Sequence, residues 1–144
     1  MKEKINKRDI LTSQINIACS LYLDKEYICS LTLSGSAETL SEGLLEANGL
    51  KESASNAVFV KFKRFLFEWR NEDIPRTNVI LRDRNWARNV IKHHNKSDEE
   101  IIEINIKLQS FIVLKSCLEN YRKLGLVLTK PMRDFEAETR DYGG

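Results

Sequence analysis

Chain breakers are scarce in this sequence, and their scarcity narrows the fold class more than any motif does. Two prolines, at 75 and 131, and six glycines interrupt 144 residues. A many-turned β-sandwich needs turn signals about every 8–12 residues, and this chain does not supply them. Between its breakers, apolar side chains recur at helical intervals: Leu11, Ile15, Ala18 and Tyr22 fall on one helical face. With 42% hydrophobic and 31% charged residues, the chain has the composition of a helix-rich folded protein, not of a disordered one. A chain of this size buries roughly 68–70% of its unfolded surface, enough for a core without metal or disulfide staples. The expectation is an all-α, up-and-down bundle of about five helices. It forms one domain over residues 1–144, with 126–144 a short terminal helix and a frayed tail.

The first helix is predicted from about Lys7 to Leu23, with a turn near Asp24–Lys25. The second, EYICSLTLSGSAETLSEGLLEANG, stops at Asn48–Gly49. It carries a stripe of small residues, Ser30, Ser34, Ala37 and Ser41, flanked by Leu33, Leu40 and Leu44. Such a stripe lets a neighbouring helix approach closely. Glu38 is the exception on this helix: it lies seven residues from both Leu31 and Leu45, so it faces protein. A carboxylate there needs a cationic or hydrogen-bonding partner.

A third helix is expected in AVFVKFKRFLFEWR, with Phe59, Phe62, Leu66 and Trp69 on its apolar face. After the loop around Pro75, Asn78 is positioned to cap a fourth helix ending near His94–Asn95. Ser97 and Glu100 have capping-box spacing. IIEINIK reads as an irregular entry to the strong helix LQSFIVLKSCLENYRKLG, and Thr129–Pro131 opens the last short helix, PMRDFEAET.

Net charge is +2, but residues 61–96 alone carry +6. That stretch attracts phosphate, although a solvated helix face has the same count. Cys19, Cys29 and Cys117 are odd in number and sit within apolar patterns, which predicts buried free thiols. No cysteine or histidine spacing suits a metal, and no cofactor is expected. No apolar run is long enough to cross a bilayer, and the polar start MKEKINKRDI lacks a signal-peptide core, so a cytoplasmic location is expected. Gly-rich phosphate loops, nucleophile elbows, di-iron Glu-x-x-His pairs and a helix-turn-helix are all missing from the pattern.

The segment RDRNWARNVIKHHNKSDEE concentrates the polar chemistry, including both histidines. On a helix, Trp86, Val90 and His93 share one face and Arg84, Arg88 and Lys92 form a basic stripe on another. Arg88 and His93 point about 140° apart, so a joint site requires the helix to end near Lys92 or a second chain. Each residue also has a plainer reading. His93 packs on the Trp86–Val90 face, Arg88 pairs with Glu38, Arg84 and Lys92 are solvated, and Trp69 and Trp86 anchor the core.

RNVIKH, an Arg and a polar residue followed by His, resembles the signature of the HEPN superfamily of small α-helical proteins. SLTLSGSAETL together with NVIKHHNK is similar to an uncharacterised bacterial branch of it, over residues 10 to 125. The resemblance implies a homodimer with the motif helices near its two-fold axis. It also implies an RNA-directed or nucleotide-binding module, whose catalytic members cut RNA without metal and leave a cyclic phosphate. Carried over, Arg88 binds the scissile phosphate, Asn89 orients it, and His93 or His94 acts as general acid or base. Arg84 and Lys92 add phosphate contacts, and a toxin–antitoxin type protein partner is the implied context. The alternative from the residues alone is a non-enzymatic helical dimerisation or interaction protein.

Overall fold

The computed structural model describes residues 1–50, 64–65, 67–68 and 86–141. Every regular element among them is helical, and the chain is an all-α bundle. Helix α1 spans Lys7–Leu23, α2 Tyr27–Ala47, α3 Ile106–Lys123 and α4 Lys130–Glu138. Residues 86–90 form a further helical segment.

Local chemistry sets the helix boundaries. The Asn6 side chain accepts from the Arg8 amide at 2.8 Å and starts α1. Helices α1, α2 and α3 end alike, with the two amides after the cap bonding back into the last turn, as in Lys25 to Tyr22 and Glu26 to Leu21. This ending needs a left-handed residue. Gly49 (φ 72°) and Gly125 (φ 77°) supply it without strain, whereas Lys25 adopts φ 64° against its own Cβ.

Packing follows the predicted stripes. Leu11, Ile15, Ala18 and Tyr22 of α1 are buried, as are Leu31, Glu38 and Leu45 along one line of α2. Each large apolar side chain buried in this way contributes about 1.5–3 kcal/mol. Helix α3 is the most enclosed element, buried continuously from Gln109 to Leu114 and again at Ser116–Leu118 and Asn120–Tyr121. The small stripe of α2 is fully buried and lets α3 approach. Its hydroxyls are satisfied at short range. Ser30 Oγ donates to the Ala18 carbonyl at 2.8 Å, and Ser41 Oγ donates to the Glu38 carbonyl at 2.8 Å while accepting from Asn120 Nδ2 at 3.0 Å. Cys117 Sγ donates to the Ser34 carbonyl at 3.2 Å. These bonds offset the cost of burying polar atoms. Helix α4 closes the bundle against α1, with Phe135 edge-on to Tyr22 at 5.0 Å.

Several expectations are corrected. Cys19 and Cys117 are buried free thiols, but Cys29 is exposed, because it lies on the outer side of α2's first turn. Trp86 is no core anchor: it is 48% exposed. Ser97 caps no helix. Instead Asp98 Oδ2 accepts from the Asn95 amide at 2.7 Å, making a local turn, and α3 begins only at Asn105, whose side chain accepts from the Leu108 amide at 3.1 Å. The helix bearing the motif ends at Val90, before His94–Asn95, since the Lys92 and His93 amides both close on the Asn89 carbonyl. The third predicted helix lies mostly outside the described residues, of which 64–65 and 67–68 are helical. Arg84, Trp69, Pro75 and Asn78 lie outside them too. No described helix is long and apolar enough to cross a membrane.

Candidate functional site

Arg88 leaves the helical segment 86–90 toward α2 and lies along it. Its Nη1 pairs with Glu38 Oε1 at 2.8 Å, and its Nη2 donates to Thr39 Oγ1 at 2.9 Å and to the Gly35 carbonyl at 3.3 Å. The carboxylate is fully buried and the guanidinium side chain only 14% exposed. Gly35 lies directly against the side chain: a Cβ there would stand 3.8 Å from Arg88 Nε, an ordinary contact distance. Removing one partner of so enclosed an ion pair strands the other's charge, which typically costs about 3–5 kcal/mol.

The rest of the motif faces elsewhere. Trp86, Asn89, Val90 and His93 follow helical spacing and line one side of a depression of about 520 Å³, completed by Asn95 and Asp98. That volume lies within the roughly 300–1,000 Å³ of ordinary small-molecule sites. Asn89 and His93 are exposed on it. A second hollow of about 220 Å³ is lined by Lys92, His93, His94, Asp98, Glu99 and Glu100 among others. His93 therefore borders both hollows, while His94 and Lys92 border only the smaller one.

Within one chain, then, Arg88 and His93 do not meet. The guanidinium lies along α2, whereas the imidazole comes after the helix end at Val90 and is exposed on the surface. The arrangement offers an imidazole, a carboxamide and a half-exposed indole on one surface, with the Arg88 guanidinium already paired to Glu38. Lys92 shares the lining of the smaller hollow with Asp98, Glu99 and Glu100. Among the described residues no cluster of three or more His, Cys, Asp or Glu side chains is arranged to hold a metal ion.

Gly35 and Thr39, which form the bed for Arg88, were missed by motif reading. The signal was their place on either side of a buried acid on the same helix, three residues before it and one after. The Asn95–Asp98 turn was also missed, hidden behind a capping-box pattern of similar composition.

Fold and site together define an all-α bundle whose surface motif segment is fastened to the core by a buried ion pair. Compared with family models, curated proteins and solved structures, the chain matches none.

Proposed function

We propose that this chain is a HEPN-like, RNA-directed or nucleotide-binding module, with a metal-independent ribonuclease as its sharpest form. One observation carries the reading: Asn89 and His93 lie exposed together on a ligand-sized depression beside a half-exposed Trp86. In this reading His93 supplies the acid or base, relaying a ribose hydroxyl proton. Asn89 orients the substrate, and His94 and Lys92 extend the surface. Arg88 acts as a positioning residue that holds the segment through Glu38, a change from the phosphate-binding role the motif implies. Phosphate contacts then fall to Lys92 and Arg84. Pairing into a homodimer, a toxin–antitoxin type protein partner and a cytoplasmic setting belong to the same proposal. The free thiols suit a reducing compartment.

The test is incubation of pure protein with RNA in EDTA, beside Asn89→Ala, His93→Ala and His94→Ala variants. Loss of cleavage or binding in His93→Ala at unchanged melting temperature supports the proposal. RNA processing or binding indifferent to all three substitutions rejects it.

A second reading rests on the Arg88–Glu38 ion pair itself. If the polar cluster exists to fasten the segment, the chain is a non-enzymatic helical interaction protein. Under that reading the same RNA experiment shows no effect of wild-type protein, while Glu38→Gln destabilises the fold.

A further inference from the structure

Trp86 leaves 48% of its surface in solvent and borders the depression of about 520 Å³. An indole is a large apolar group, and covering it in the core would have added to stability, so leaving half of it open forgoes that gain. What it offers in exchange is a flat π-face. Aromatic side chains of this kind hold single-stranded nucleic acid by stacking, because every base has a π-face of its own.

The rest of the lining decides which part of a nucleotide suits the depression. Among the described residues around it there is no lysine or arginine. A phosphate placed there would meet the Asp98 carboxylate with no ammonium or guanidinium to offset the repulsion. A nucleobase meets a complementary set instead. Asn89 follows Trp86 by three residues on the same helical segment and lines the same depression. Its carboxamide both donates and accepts hydrogen bonds. Asp98 Oδ2 accepts from the Asn95 amide at 2.7 Å, which ties the carboxylate to its turn. A carboxylate has about four lone-pair sites, so this bond leaves capacity to accept from a ligand. Acceptors without cations suit an exocyclic amine: asparagine pairs with N6 and N7 of adenine, and aspartate accepts from N4 of cytosine. Uracil has no such amine.

We infer that this depression receives one unpaired nucleobase bearing an exocyclic amine, stacked on Trp86 and read by Asn89 and Asp98. The inference rests on the RNA-directed or nucleotide-binding reading of the surface, and it narrows that reading to single-stranded substrate. Bases within a duplex stack on one another, and the A-form major groove is too narrow for side chains, so the indole reaches only a base that is splayed out. The phosphate of the seated nucleotide stays outside the depression. Recognition at this point therefore depends on the base and little on the phosphate or on salt.

Nuclear magnetic resonance of the full chain tests it, because the sequence holds two tryptophans and Trp86→Phe assigns the indole N–H signal of residue 86. Adenosine and cytidine, titrated to millimolar levels, should shift that signal saturably and bind at least about fivefold more tightly than uridine. Adenosine monophosphate should bind within about twofold of adenosine. Asp98→Asn keeps an acceptor for the Asn95 amide and should erase most of the preference over uridine. In parallel, anisotropy of a labelled single-stranded RNA of mixed sequence should show binding that Trp86→Ala weakens at least about fivefold. Trp86→Phe keeps a flat ring and should retain most of it. Trp86 is half exposed, so both variants should melt like wild type, and the nucleoside titration of wild type decides the matter if Trp86→Ala melts low. RNA binding that leaves the residue 86 signal still, or that is as tight for duplex as for single strand, overturns the inference while the RNA reading stands. So does uridine bound as tightly as adenosine. If neither RNA nor any nucleoside binds, both fall together.

Discussion

The α2–α3 seam and the surface segment 86–105 use polar residues to opposite ends. In the seam, Ser30, Ser34, Ser41, Cys117 and Asn120 are buried, and each hydroxyl, thiol or amide meets a neighbour across or along the helices. In the surface segment, Asn89, His93, His94 and Asn95 stand exposed, and after Val90 regular helix gives way to local turns at 91–92 and 95–98. The serines and the cysteine of the seam are small because they must let two backbones come close. The histidines at the surface are large, and packing does not require them. Arg88 belongs to both regions. It grows from the surface segment but ends in the buried environment of Glu38, and so ties one to the other. Motif spelling alone therefore misleads: two residues five apart, Arg88 and His93, obey different physics.

The strongest way to break this contrast is to cut the tie. Arg88→Ala should lower unfolding free energy by about 3–5 kcal/mol in urea titrations, since Glu38 is left charged and enclosed. The double variant Arg88→Leu with Glu38→Leu should recover most of that loss. Equal stability of wild type and Arg88→Ala would mean the ion pair is not what fastens the segment.

Titration of the interior gives the next largest effect. Burial, with Glu136 adding to it, pushes the Cys19 thiol up from 9.0 to about 12. Between those values the folded state keeps its proton while the unfolded chain loses it, so stability falls as pH rises. This one group contributes a slope of up to about 1.4 kcal/mol per pH unit in that window. Denaturation curves from pH 8 to 11 should show that slope in wild type and a shallower one in Cys19→Ala.

The junction between the regions should respond less. Asn105→Ala removes the side chain that caps α3 and should cost about 1 kcal/mol, read from the shift in denaturation midpoint. The smallest effect belongs to the surface itself. His93→Ala should change stability by no more than about 0.5 kcal/mol. A larger loss would show that the imidazole is structural and would weaken its role in any chemistry.

Much of this molecule was legible from spacing. The buried lines of α1 and α2, the small stripe, the inward Glu38 and the glycine endings follow from a 3.6-residue period and from backbone conformations that disfavour a Cβ. The face shared by Trp86, Val90 and His93 was readable for the same reason. Less legible were features that depend on whether something covers a residue. Trp86 fits an apolar face yet remains half exposed, and Cys29 fits an apolar pattern yet faces outward. Ser97 and Glu100 have the spelling of a helix start, but Asp98 closes a competing turn at Asn95. The HEPN resemblance stays where the motif put it, as the basis of a proposal.

By itself, the order of residues determined an all-α architecture and a carboxylate on α2 that had to find a partner, because periodicity and the cost of burying charge act locally along the chain. Which partner it found, and that Trp86 is left half exposed, was decided only by tertiary structure. Those outcomes depend on how helices distant in sequence are set against one another, and no spacing within a helix records that.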